Sequence, residues 1–275
     1  MRTILKKTKK VDYQDFKLRR ALAEDVTELI KEPVTIVDEK GEIKLIYDIV
    51  PFDTSKYVEA LRKIKYQEST RVSGLKTVSR IFGYAPRVTA RKDFCSSTSL
   101  LNDSPEEHEL IIELGQKLSE VYLNRAPQIF TGHQATADNK VRGEYRIEGT
   151  PFTSGIINKN NPLKYHFDSG NFKKVFSCMM AFKNECNGGH LALPEYDIAL
   201  EIADNSVLLF DGQDILHGVT PFKLASDDGY RFTVVYYSLQ RMWDCLSVTD
   251  EIARIRNRKT ERERRRAGLE TTKNE

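Results

Sequence analysis

The chain has 275 residues, 40% of them apolar, enough for one large core or at most two small ones. It contains no run of about 18 apolar residues, and the basic start, residues 1–10, lacks the apolar stretch of a secretory signal, so neither a membrane span nor export is expected. The expectation is an intracellular protein, cytoplasmic or, in a eukaryote, nuclear, with one domain over 1–246 and a basic, helical tail over 247–275.

The net charge of +3 divides unevenly: residues 1–10 carry +5, residues 254–268 carry +6, and residues 11–253 carry −7. Basic ends of this kind suit either solvent or a polyanion. The four cysteines (Cys95, Cys178, Cys186, Cys245) show no C-x-x-C spacing. That argues against a zinc ribbon or a disulfide framework and predicts reduced, partly buried thiols.

In chain order, apolar residues recur at helical spacing over 12–31 (Phe16, Leu22, Val26, Leu29, Ile30), and Pro33 ends that helix. Residues 34–38 and 43–50 are β-rich and flank Glu39-Lys40-Gly41-Glu42, a hairpin pattern; Thr54 or Ser55 then caps a short helix through Tyr66. Residues 71–98 show no clear period. Ser104-Pro105-Glu106-Glu107 is a strong helix start, and Leu110, Ile111, Leu114, Leu118, Val121 and Tyr122 form its buried stripe. After Gly149 come short strand-like runs at 152–158, 175–182, 190–193, 198–202, 207–210 and 231–239. The fold class is therefore α+β with a mainly β core, a jelly roll or cupin-like sandwich against which helices of the N-terminal half pack. Residues 254–266 are almost wholly charged and read either as a solvated helix or as a nucleic-acid arm.

Chemistry concentrates in the β-rich half. His166-Phe167-Asp168 places an imidazole and a carboxylate two residues apart, hence on one face of a strand. His217 completes a set of two histidines and one carboxylate, a facial triad that leaves positions open on Fe(II) for a chelating oxoacid and dioxygen. His190, after Gly188-Gly189, is the rival third ligand. His108, in a helix's first turn, and His133, in a Gly-flanked loop, are expected at the surface. Arg231, fourteen positions after His217, opens an otherwise core-like strand and needs an anionic partner. The distal carboxylate of 2-oxoglutarate fits a guanidinium bidentately, and Thr233 adds a hydroxyl on the same strand face; a structural Asp or Glu is the other partner open to it.

Several segments, taken in order, resemble the TET/JBP group of 2-oxoglutarate oxygenases, which oxidise the 5-methyl group of pyrimidines in DNA. They are Pro151-Phe152-Thr153-Ser154 through Asn158-Lys159-Asn160, His166-Phe167-Asp168, Gly188-Gly189-His190-Leu191-Ala192-Leu193-Pro194-Glu195-Tyr196, Leu208-Leu209-Phe210-Asp211-Gly212, His217-Gly218-Val219-Thr220-Pro221 and Arg231-Phe232-Thr233. A weaker similarity runs upstream through Arg71-Val72-Ser73-Gly74 and Ile81-Phe82-Gly83-Tyr84-Ala85-Pro86. The resemblance implies a double-stranded β-helix, Fe(II) as cofactor, 2-oxoglutarate and O2 as co-substrates, and His166, Asp168, His217 and Arg231 as the catalytic set. It also implies substrate contacts from Asn171, three residues after the metal-binding Asp, and from Tyr237, at a position where the family sets an aromatic ring against the target base; Asn158 is grouped with them. Leu239 departs from the histidine that methylcytosine oxidisers carry there, so 5-methylcytosine and thymine both stay open as substrates, in DNA or, as a variant, RNA. Two further functions are kept: a 2-oxoglutarate-dependent hydroxylase of a protein side chain or small molecule, and a non-catalytic jelly-roll module that binds nucleic acid.

Overall fold

Strands covered on both faces, and so buried at nearly every position, build the frame. The computed structural model describes residues 2–4, 10–17, 19–70, 74, 76–88 and 94–268. Its strands are β1 (Arg2–Ile4), β2 (Glu28–Ile30), β3 (Val34–Val37), β4 (Ile43–Ile49), β5 (Gln67–Thr70), β6 (Lys76–Ala85), β7 (Ser96–Ser97), β8 (Ser154–Lys159), β9 (Ser177–Asn184), β10 (Cys186–Gly188), β11 (Leu191–Leu193), β12 (Ile198–Leu200), β13 (Ser206–Phe210), β14 (Gly218–Val219), β15 (Phe222–Leu224) and β16 (Tyr230–Tyr237). The α-helices are α1 (Tyr13–Phe16), α2 (Ser55–Lys63), α3 (Leu100–Asp103), α4 (Pro105–Arg125), α5 (Pro127–Lys140) and α6 (Val248–Arg266). Residues 71–73 of the upstream similarity and most of the basic start lie outside the described residues.

Among the described residues the large sheet runs β1-β3-β4-β13-β9-β16-β8-β6-β5, with β7 on β6, and a smaller sheet runs β14-β11-β12-β2. Between them lies an apolar layer: Val34, Ile36, Leu45, Tyr47 and Leu208 from the large sheet meet Leu191, Leu193, Ile198 and Leu200 from the small one. This is the double-stranded β-helix. The opposite face of the large sheet (Phe82, Cys178, Met180, Phe232, Val234, Tyr236) packs against Ile111, Leu114, Leu118 and Tyr122 of α4. Each such side chain, fully buried, contributes about 1.5–3 kcal/mol. Burial of the Tyr236 hydroxyl is offset by its hydrogen bond to the Ile111 carbonyl at 2.6 Å.

Two expectations are corrected here, and one unassigned stretch is resolved. Residues 12–31 do not form one helix: α1 has four residues, and Glu28–Ile30 instead extends the small sheet beside β12. Pairing a free sheet edge outweighs helical spacing in this segment. Residues 76–85, which showed no period, form a ten-residue strand. Its pattern is obscured because Arg80 sits on the helix side, bonded to Asp103 and Ser99, where an apolar residue would be anticipated. Cys95 and Cys245, expected reduced, are joined by a disulfide across 150 residues, within a small cluster with Tyr145, Phe172 and Met242; Cys178 and Cys186 are the buried free thiols. Local spacing carries no trace of a pairing made by the fold.

Candidate metal and co-substrate site

His166 and His217 are rungs of the same short ladder. His166 N–H donates to the His217 carbonyl at 3.0 Å, and His217 N–H donates to the His166 carbonyl at 3.2 Å. The ring centroids stand 4.3 Å apart, and the His166 Nε2 lies 3.7 Å from Asp168 Oδ1. One ligand atom from each of His166, Asp168 and His217 falls within 4.8 Å of the others. The Nδ1 of His166 is 2.8 Å from the Lys164 carbonyl, and that of His217 is 2.8 Å from the Ile215 carbonyl. A carbonyl only accepts, so both Nδ1 atoms carry the proton, the tautomer in which Nε2 can ligate a metal.

The carboxylate is held as closely. Asp168 N–H donates to the Gly212 carbonyl at 2.8 Å, and a Cβ on Gly212 would stand 2.1 Å from Asp168 Oδ2. Phe210, at the end of β13, meets the His217 ring edge-on at 5.0 Å. The donor set and its ring tautomers fit a divalent metal, with hard oxygen and imidazole nitrogen suited to Fe(II).

Arg231 is 3% exposed at the start of β16. Its Nη2 donates to the Gly189 carbonyl at 3.3 Å, its guanidinium stands 5.9 Å from the Phe222 ring, and its buried Nε has no hydrogen-bond partner. No carboxylate pairs with it among the described residues, so burial alone pulls its pKa down to about 10. Arg231 is thus a desolvated cation lacking its anion. A Cβ on Gly189 would lie 2.9 Å from Arg231 Nε, so only glycine admits the side chain there. Thr233, on the same strand face, accepts from Asn158 Nδ2 at 3.2 Å, while Asn158 Oδ1 accepts from Asn161 at 3.1 Å. Residues 217–222 run directly from the triad to the ring beside Arg231.

The substrate candidates separate into two places. Asn158 is 5% exposed, with both ends of its amide engaged, so it supports Thr233 on the Arg231 side and does not stand with Asn171. Asn171 forms an isolated antiparallel bridge with Leu239, and its Nδ2 donates to Ser177 Oγ at 3.2 Å. Tyr237 is half-buried on the strand face that carries Arg231 and Thr233, at the opposite end, beside Ser154. His190 is outside the triad; its backbone N–H donates to Thr220 Oγ1. His108 is half-buried. His133, expected at the surface in a loop, lies fully buried in α5. Gly132 read as a loop marker but is an ordinary helical residue. Ser238 gives its hydroxyl proton to the Pro151 carbonyl, so His133 Nε2–H donates to Ser238 Oγ at 2.8 Å. Sequence reasoning missed this strut, and it missed Gly212 as the cradle of Asp168, although the Asp211-Gly212 pair was in view.

A double-stranded β-helix with a His-Asp-His triad and a buried, unpaired guanidinium defines the class of Fe(II)- and 2-oxoglutarate-dependent oxygenases. More narrowly, the chain belongs to the TET/JBP family, whose oxygenase domain of the 2OGFeDO superfamily matches residues 80–240. Membership brings Fe(II), 2-oxoglutarate and O2. The chain is 26% identical over 217 residues to thymine dioxygenase JBP1 of Trypanosoma brucei brucei, covering 77% of this chain and 25% of the relative. It is 23% identical over 220 residues to the bifunctional helicase and thymine dioxygenase JBP2 of Leishmania braziliensis, covering 76% and 20%. The chain therefore spans about a quarter or less of the length of these curated relatives. In fold it is similar to NgTET1 in complex with 5mC DNA, with a TM-score of 0.61 and 17% identity over 87% of this chain and 83% of that one. No helix among the described residues is long and apolar enough to cross a membrane.

Proposed function

We propose that the protein hydroxylates the 5-methyl group of a pyrimidine in DNA, with His166, Asp168 and His217 as iron ligands and with Arg231 and Thr233 as the anchor of 2-oxoglutarate. The observation that carries this reading is the buried Arg231, left without a carboxylate at one end of the site whose other end holds the Asn171–Leu239 rung. When bound, Fe(II) with 2-oxoglutarate and O2 supplies the oxidising power, with decarboxylation of the oxoacid to succinate.

The chain's own residues bind and orient. The two Nδ1–H bonds to backbone carbonyls fix the imidazole rings, and Gly212 gives the Asp168 carboxylate room to meet them. The Thr233 hydroxyl accepts from Asn158, so its proton is free to point at the carboxylate that Arg231 binds. Across the site the Asn171 amide offers a donor and an acceptor to a pyrimidine edge, Tyr237 offers a ring face, and the apolar Leu239 excludes water.

Two things favour thymine over 5-methylcytosine: Leu239 cannot hydrogen-bond a base, and the JBP relatives are named thymine dioxygenases. The test is incubation with Fe(II), ascorbate, 2-oxoglutarate and DNA containing thymine or 5-methylcytosine, followed by digestion and mass spectrometry of the nucleosides. The hydroxymethyl nucleoside of thymine is expected in excess. No oxidised nucleoside from either DNA, or from RNA, overturns the proposal.

A further inference from the structure

The chain has one tryptophan, and it is left 40% exposed next to the substrate end of the site. Trp243 lies four residues beyond Leu239, in a turn covering Gln240–Asp244. That turn is knit to the segment carrying Asn171: Gln240 N–H donates to the Gly170 carbonyl at 2.9 Å, and Phe172 N–H donates to the Ser238 carbonyl at 2.8 Å. The Phe172 and Trp243 rings then meet at 5.3 Å between centroids. The indole is therefore fixed on the outer side of the wall whose inner rung is Asn171–Leu239.

Basic residues flank it: Lys173 and Lys174 follow Phe172 directly, and Arg241 is in the same turn. The Lys140 ammonium stands 5.9 Å from the indole centroid. Lys173, Lys174 and Arg241 are exposed, and none has a carboxylate partner among the described residues; Asp244 is the one acid in the turn. A part-exposed aromatic ring with an ammonium beside it and exposed basic side chains on the same two segments has the makeup of a nucleic-acid stacking platform, since every base has a π-face and every linkage a negative charge. Extruding a base for chemistry also disturbs its neighbours, which a ring at the mouth of the site can receive.

We propose that Trp243 stacks on a base of the strand that carries the target nucleotide, next to the base taken into the site, with Lys140, Lys173, Lys174 and Arg241 on the flanking phosphates. This rests on the DNA-substrate reading given above. The platform acts on binding and on holding the strand in register; it touches none of the metal or oxoacid groups.

Because Trp243 is the single tryptophan, the unmodified protein reports on it. The holoenzyme, with Fe(II) and 2-oxoglutarate under anaerobic conditions, is titrated with a short duplex containing thymine and one 5-methylcytosine. Tryptophan emission should be quenched in proportion to occupancy, followed in parallel by anisotropy of a dye on the duplex. Trp243→Ala should weaken duplex binding by about tenfold or more, as expected for loss of one base-aromatic stack, and Trp243→Phe should recover most of it. Iron content and melting temperature, measured on both variants, check that the fold is kept. If wild-type protein oxidises DNA while emission stays unchanged at saturation, or if both variants bind within twofold of wild type, the platform is wrong and the substrate reading stands. If wild-type protein neither binds nor oxidises nucleic acid, the substrate reading falls and the platform falls with it.

Discussion

The two faces of the large sheet use the same strands for opposite purposes. On β16, Phe232, Val234 and Tyr236 point to the helices and are at most 1% exposed, whereas Arg231, Thr233, Val235 and Tyr237 alternate with them toward the site. On β16 the helix-facing side chains are apolar apart from the Tyr236 hydroxyl, which is bonded to a backbone carbonyl. The site face carries Arg231, which has no carboxylate partner among the described residues, and opens toward the His-Asp-His cluster. Both faces of the sheet bury apolar side chains, but along β16 the helix-facing positions are sealed and apolar while the site-facing ones carry the polar groups.

Substitutions on the two faces should separate cleanly. The largest effect is expected from Asp168→Ala, which removes the only carboxylate of the triad: bound iron, read by elemental analysis, and turnover should both fall to background, with little change in melting temperature. Retained iron would break the assignment of the site face. Phe82→Ala on the helix face should do the reverse, lowering unfolding free energy by about 3–5 kcal/mol in denaturant titration while the KM for 2-oxoglutarate holds in the folded fraction. Arg231→Lys keeps the charge and loses the planar fork, so that KM should rise by about 10- to 100-fold, the equivalent of about 1.5–3 kcal/mol for a charge-assisted bond. An unchanged KM would show that the oxoacid is anchored elsewhere.

The effect smallest per unit change in conditions concerns pH. Burial of His133 pushes its pKa down to about 3 from 6.5. The unfolded chain thus binds a proton that the folded chain refuses, so stability is complete above about 6.5 and falls by about 1.4 kcal/mol per pH unit as pH drops toward 3. His133→Gln should flatten that limb in thermal melts at several pH values. An equally steep limb in the variant would assign the acid sensitivity to other groups.

What could be read from the sequence was what is local. The His166-Phe167-Asp168 spacing, the charged start of β16 and the buried stripe of α4 with its first-turn proline each declare themselves within a few residues, though Ser104 makes no side-chain cap bond, and the structure brings His217 to the first of these through sheet pairing. The disulfide, the burial of His133 and the edge strand Glu28–Ile30 depend on partners about 100 or more residues away, and single-chain periodicity has no access to such partners. Asn158 shows the intermediate case: its presence near the site was legible, but its role as a support for Thr233 required the strand register.

A short connection, His217 to Phe222, joins the triad to the ring beside the guanidinium, and Gly189 leaves room for the Arg231 side chain at the far end. Two anchors at a set separation make a ruler. Under the proposed anchoring, with the metal at the keto end and Arg231 at the distal carboxylate, a dicarboxylic acid one carbon shorter than 2-oxoglutarate would fall short of Arg231 and leave that cation buried and unpaired, so chain length itself would become the property by which this pocket tells one metabolite from another.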